Sequence, residues 1–333
     1  GADKATREQL AAAGFTDLKQ KGDQAEWWVA RKPRPEAMDE WTHPRHASDG
    51  NPASNDALVA PPRRVRWIAG AESEVRGMVT AAGRNFYAGV LARDSFNGLR
   101  LWHRDIVAPG SDDFVMKNLR SAPPVAGGNR LFVVEQKKLL ALDAASGEVI
   151  HEYPAAGEPK EVLYDRGTLI VATSDSVRAL YADSGDVRWQ LSFADPRQVV
   201  AGDDTVALIH GQARRDEPIE AVVVDRETGQ IRWRRNDLDW LPKVDRLVYH
   251  GGLVAFEVST FNDDGPENAL HLVSAASGEV QLDHPFFPGM NHARQARAMF
   301  VKGNLWLLHG GKDAEKKRLP VEVSAIDIKT GEA

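Results

Sequence analysis

Short apolar runs with period-two alternation fill most of the chain, and a polar turn closes each of them. Arg84–Tyr87, Asn129–Val134, Gly167–Ala172, Thr205–Ile209, Gly252–Phe256 and Asn304–Leu308 are rich in β-branched and aromatic residues and mostly open on Gly or Asn, which predicts strands. Behind each comes one recurring phrase, fullest as Val223–Trp233: an apolar strand, Asp-x-x-Thr-Gly, then a strand ending in Trp. The other copies span Ala92–Trp102, Ala141–His151, Ala179–Trp189, Leu272–Leu282 and Ala325–Ala333. The repeat glycines are Gly98, Gly147, Gly185, Gly229, Gly278 and Gly331, a mean step of about 47 residues, the length of a propeller blade.

The phrase has a physical meaning. An Asp at the strand end (Asp94, Asp143, Asp225, Asp327) can accept hydrogen bonds from the turn ahead, and Gly supplies a positive φ. Each copy therefore predicts a tight hairpin. Trp102, Trp189 and Trp233 close three copies and Trp67 closes the Arg64–Ile68 strand; sheet-to-sheet packing explains them better than ligand stacking. His151 and Leu282 stand where Trp is missing. Ser121–Val125 and Arg197–Val200 fit short innermost strands, which makes four strands per unit. The pattern predicts an all-β propeller of four-stranded blades with six repeats visible; a solenoid shares the period, but antiparallel hairpins favour the propeller.

Residues 1–36 lie outside this pattern. Thr6–Gln9 reads as a capping box, Leu10–Ala13 as helix, Gly14 as its stop, and Glu26–Arg31 as a strand before the Lys32–Glu36 linker. The expected domains are thus a helix–strand arm over 1–36 and a propeller over 37–333, with both ends reading as cuts within a longer polypeptide.

Composition narrows the partners. A net charge of −6 and 42% hydrophobic residues give a sizeable core and no basic footprint for nucleic acid. No run approaches the roughly 18 apolar residues of a membrane helix. The absence of cysteine excludes disulfides, thiolate metal sites and a cysteine nucleophile in this stretch.

Candidate chemistry is sparse. His43 and His46 beside Asp49 could seed a metal site, but no third ligand stands at a usual spacing; the plainer reading is a polar segment lying on the propeller. Asn262–Asn268 offers many oxygen ligands without the spacing of a calcium loop, and reads as a surface loop. Lys312–Arg318 mixes charges and reads as a solvated hairpin tip. Arg63, Arg64 and Arg66 could meet a phosphate, yet follow two prolines and enter a strand.

Two resemblances carry further expectations. The Trp41-x9-Asn51 opening, the Arg66-Trp67 strand and repeats such as Ala141–Val149 and Val223–Trp233 resemble the pyrroloquinoline-quinone-like (PQQ-like, quinoprotein) β-propellers over residues 41–333. The arm, with Leu10–Phe15 and Trp27–Pro33, resembles the end of a Rossmann-like methyltransferase domain. The first resemblance implies eight blades, two of them beyond residue 333; alternatively Arg64–Ile68 closes a six-bladed ring on Val321–Ile328. It also implies a periplasmic or extracytoplasmic location, and either of two functions. One is a non-catalytic scaffold binding a protein or small-molecule ligand at a propeller face, joined to the rest of its polypeptide. The other is a quinone-dependent oxidoreductase of alcohols or sugars, with PQQ and Ca2+ at the axis. No cofactor ligand can be matched residue by residue, so no catalytic, cofactor-binding or metal residue is assigned. The arm's resemblance adds a third function, an accessory module of a methyltransferase.

Overall fold

The computed structural model describes residues 2–21, 27–58, 65, 67–68, 78–87, 91–104, 122–211, 218–258, 269–285, 297–312 and 317–332. Its contacts divide into two units, residues 1–39 with 55–63, and residues 40–54 with 64–333.

In the first unit, helix α1 (Ala2–Ala12) precedes a hairpin of β1 (Thr16–Lys21) and β2 (Trp27–Arg31). The helix starts ahead of the expected capping box, so Thr6 sits inside it. Its end matches expectation. Gly14 has φ +82°, the Phe15 amide donates to the Leu10 carbonyl and the Gly14 amide to that of Ala11, which is a Schellman stop.

The second unit is built of antiparallel sheets laid down in chain order. Blade I holds β3 (Met78–Ala81), β4 (Arg84–Tyr87), β5 (Leu91–Asp94) and β6 (Arg100–His103). Blade II holds β7 (Val125–Gly127), β8 (Arg130–Glu135), β9 (Lys138–Asp143) and β10 (Val149–Glu152). Blade III holds β11 (Glu161–Asp165), β12 (Thr168–Ala172), β13 (Ser176–Tyr181) and β14 (Val187–Ser192). Blade IV holds β15 (Gln198–Gly202), β16 (Thr205–His210), β17 (Glu220–Asp225) and β18 (Ile231–Arg235). Blade V holds β19 (Val244–His250), β20 (Leu253–Val258), β21 (Ala269–Ser274) and β22 (Val280–Pro285). Blade VI has three strands, β23 (Met299–Val301), β24 (Asn304–Lys312) and β25 (Arg318–Asp327).

Buried apolar residues form five clusters, and each lies between two successive blades. Phe86, Ala92 and Trp102 of blade I meet Ala126, Leu131 and Leu142 of blade II, and the pattern repeats through Leu270 and Leu272 of blade V against Phe300, Leu305 and Ile326 of blade VI. The central strands β12 and β16 are buried along their whole length, as sheets covered on both faces require. No such cluster joins blade VI to blade I among the described residues. Val323 of β25 remains 66% exposed, and Val65, Trp67 and Ile68 belong to no strand paired with β25. Arg63, Arg64, Arg66 and Asn262–Asn268 lie outside the described residues, whereas Lys312 and Arg318 are register partners at the ends of two paired strands.

Candidate functional site: the repeat turns and the axial strap

The repeat phrase builds the same object six times. Each repeat glycine has φ between +72° and +78° and donates its amide to the carbonyl four residues back at 2.8–2.9 Å. Asp94, Asp143, Asp225 and Asp327 each accept, on one carboxylate oxygen, the amides two and three residues ahead, at 2.8–3.1 Å. At Asp225 partial burial opposes ionisation, but the Thr228 amide, the Arg232 guanidinium and the Thr228 hydroxyl hold its carboxyl down at about 2. The Ser146 amide and the Lys329 amide lead the lowering at Asp143 and Asp327.

The glycine serves a second purpose. The preceding blade's Trp lies flat over the turn, so that a Cβ at Gly147 or Gly229 would stand 2.7 Å from the Trp102 or Trp189 indole. The indole N–H donates to the carbonyl three residues before the glycine: Trp102 to Ala144 (3.0 Å), Trp189 to Arg226 (2.7 Å), Trp233 to Ala275 (3.0 Å). Trp67 does the same on blade I, donating to Ser95 at 3.1 Å over Gly98. It fills the slot that belongs to a preceding blade's outermost strand. At Gly185 the sequence equivalent is His151, but the donor is Tyr153, whose hydroxyl reaches the Ala182 carbonyl at 2.6 Å. Over Gly331, Leu282 packs without a donor.

The segment 41–51 is different in kind. It visits the innermost strand of every blade, in order. The Trp41 carbonyl accepts from the Thr80 amide (2.6 Å), and that of Thr42 from the Ala126 amide (2.8 Å). His43 Nε2 accepts from the Tyr164 amide (3.0 Å). The Ser48 and Asp49 carbonyls accept from the Ala201 (2.9 Å) and Tyr249 (2.8 Å) amides. Asn51 pairs its amide group with both the N–H and the C=O of Phe300, at 2.9 Å each. All six targets are the penultimate residues of their strands, one before the hairpin register ends.

Eleven extended residues reach at most about 36 Å, and the strap is shortened further by a tight turn in which His43 and His46 exchange both backbone bonds. Six parallel-stacked sheets would span about 50 Å. The innermost strands must therefore converge on an axis, and the strap lies in it. It supplies partners to amides on strand edges that have no neighbouring strand, which buried backbone demands.

His43 shows how closely the strap is fitted. It is 3% exposed, and burial, with His46 alongside, pushes its imidazole down to about 3. Because Nε2 accepts from an amide, the proton sits on Nδ1, which faces the Thr42 hydroxyl at 2.9 Å. Both ring nitrogens are spent on the protein, so this side chain has no lone pair for a metal. Burial also raises Asp49, against the Asn51 amide and the neighbouring His46 and His250. Farther along, Arg246 (2% exposed) donates to the Gly50 carbonyl at 2.7 Å and faces Glu257, which is fully buried and also meets Arg297 and the Ala298 amide.

Between the strap and blades III and IV lies a cavity of about 170 Å3, walled by Val162, Leu163, Val199 and Val200 and carrying Glu161 and Ser48. Burial pushes the Glu161 carboxyl up to about 7, with Arg45 and the Val199 amide opposing. Ligand pockets for drug-sized molecules start near 300 Å3, so a tricyclic quinone does not fit this cavity, and no Trp lines it. Among the described residues no three His, Asp or Glu side chains converge as metal ligands. The Trp41-x9-Asn51 opening is visible in the sequence; the strap's six contacts are not, because most of them use backbone atoms.

Comparison with known proteins agrees with the repeats. Residues 88–236 match the family model described as outer membrane protein assembly factor BamB. No curated protein matches the chain in sequence. Among solved structures, BamB from Moraxella catarrhalis is similar at 14% identity, covering 75% of this chain and 81% of that one, with a TM-score of 0.36. A europium-containing methanol dehydrogenase gives 13% identity over 63% of this chain and 49% of its own, with a TM-score of 0.42. The Neurospora crassa Pan2 WD40 domain gives 12%, 68%, 67% and 0.43 in the same order. The chain thus spans about half the length of that dehydrogenase. With blades defined by their own sheets, the chain is a β-propeller, and residues 88–236 of it are similar to PQQ-like repeats.

Proposed function

We propose that this propeller is a non-catalytic scaffold that binds a protein or small-molecule ligand at a propeller face, in an extracytoplasmic setting. One observation carries the reading: the axis, where an axial cofactor would sit, is filled by the chain's own residues 41–51. The cavity beside it among the described residues is small and mostly apolar. A redox site would need a shaped polar cavity holding an ion and a quinone together. No described helix is long and apolar enough to cross a membrane.

The ring that goes with this reading has eight blades. Supporting it are the uncovered apolar face of blade VI at Met299, Trp306 and Val323, and Trp67, which already occupies the slot of a blade preceding blade I.

The test is reconstitution with calcium and PQQ, followed by dye-linked oxidation of primary alcohols and aldoses. The expected result is turnover no greater than that of free quinone. Turnover clearly above it, lost in Glu161→Ala, overturns the scaffold reading in favour of the oxidoreductase.

A further inference from the structure

The cavity under the strap has the makings of a receptor. Its volume of about 170 Å3 is close to the roughly 150 Å3 of an engineered apolar cavity that accepts benzene. Val162, Leu163, Val199 and Val200 give it apolar walls from two adjacent innermost strands. Two acceptors line it. Glu161 brings a half-buried carboxyl. Ser48 commits its hydroxyl hydrogen to the Ala201 carbonyl at 3.0 Å, which leaves its oxygen lone pairs available. The buried His43 on the rim is uncharged and already bonded, so it neither competes for nor repels a cation. Arg45, exposed on the strap turn, also lines the cavity and is the cation that now acts on Glu161, so a bound cation shares that carboxyl with it.

We propose that this axial cavity binds a small primary alkylammonium group, its N–H bonds meeting Glu161 and Ser48 and its alkyl chain lying against the valine walls. The proposal deepens the scaffold reading by naming the chemistry of one ligand. The source is either a free amine or a partner's lysine side chain, and both present the same group.

The physical driver is an incompletely compensated acid. Burial disfavours the Glu161 carboxylate, and Arg45 and one backbone amide only partly restore it. A bound cation completes the compensation, as opposite charges do for buried carboxylates. Binding then pulls a proton off Glu161 near neutral pH, and affinity rises with pH. Between pH 6 and pH 8 the ionised fraction of a group at about 7 rises about tenfold, and the affinity should follow. The facing imidazole does not blur this: His43 stays neutral across the range.

The probe is n-butylammonium, titrated into the whole chain while valine and leucine methyl resonances are followed by NMR. The expected result is saturable shifts at Val162, Leu163, Val199 and Val200, about tenfold weaker binding at pH 6 than at pH 8, and loss of binding in Glu161→Gln. A protein carrying an accessible lysine, competing for the same shifts, would identify a side chain as the source. Glu161→Gln introduces no charge at the site, and its folding is checked by its own methyl spectrum; the wild-type pH dependence tests the same claim without a variant. Absence of saturable shifts, shifts with acetate in place of the amine, or unaltered binding in Glu161→Gln each overturns the proposal. None of these outcomes touches the scaffold reading, which stands or falls on the oxidation assay.

Discussion

The rim and the axis of this propeller solve the same problem in opposite ways. Both must satisfy the blade's exposed backbone while joining one blade to the next. On the rim the solution is written six times as a turn closed by Gly, opened by Asp in four copies and covered by an aromatic ring in five, and variations keep the geometry, as when Tyr153 donates in place of an indole. At the axis it is written once. Eleven residues serve all six blades with whatever acceptor is at hand: three kinds of atom, backbone carbonyl, imidazole nitrogen and side-chain amide oxygen. A rim contact therefore fails locally, and an axial contact fails for the strap as a whole.

Truncating a rim ring should have the largest effect. Trp233→Ala removes the indole between blades IV and V, together with its bond to Ala275, and leaves a void over Gly278 in the apolar cluster the two blades share. Loss of a buried aromatic of this size costs about 4 kcal/mol, measured as a shift in the denaturant midpoint. A loss under about 1 kcal/mol would mean that the ring is not what joins the blades. Hydrogen exchange should show the damage confined to blades IV and V.

The axial counterpart is Asn51→Leu. It leaves the Phe300 N–H and C=O without partners in a buried site, for a loss of about 3 kcal/mol. Here exchange should speed up at Thr80, Ala126, Tyr164, Ala201 and Tyr249 as well, because one strap protects all of them. Acceleration limited to blade VI would show that the strap is held independently at each blade, and would erase the contrast.

The contrast also explains what the sequence reveals. Hairpins, their period, and the packing Trp residues are legible because each repeats, and all six turns close on a positive-φ Gly. Gly229 is required both by its φ of +72° and by the Trp189 ring 2.7 Å from where a Cβ would be. The axis is illegible for a matching reason. The carbonyls of Trp41, Thr42, Ser48 and Asp49 would do the same work with almost any side chain attached. Only Asn51 and His43 carry it on side chains, and His43 in an His-x-x-His setting looks like a metal ligand until its amide partner, 121 residues away, is in place. Tyr153 was hidden by a two-residue offset from the position that Trp occupies elsewhere.

The smallest effect sharpens the comparison through pH. The rim turns at Asp143, Asp225 and Asp327 should be silent between pH 7 and pH 5: these carboxylates are held low, Asp225 at about 2, so they lose their contribution only at more acidic pH. Two of the groups at the axis, His43 and Glu161, titrate in opposite senses. His43 has a folded value of about 3 against 6.5 unfolded. The unfolded chain binds its proton first, so this contribution is present above 6.5 and falls by about 2 kcal/mol on going from pH 7 to pH 5. Glu161 is at about 7 folded against 4.5 unfolded. There the folded chain binds the proton first, so stability rises over the same interval, again by about 2 kcal/mol. The two nearly cancel in the wild type. Glu161→Gln removes one side of the balance, and the variant should lose about 2 kcal/mol between pH 7 and pH 5 relative to the wild type. Denaturant melts at the two pH values read this difference directly. Equal pH profiles for the variant and the wild type would mean that Glu161 is solvated as an ordinary carboxylate, and the cavity beneath the strap would then lose its claim to be a dry, charge-sensitive site.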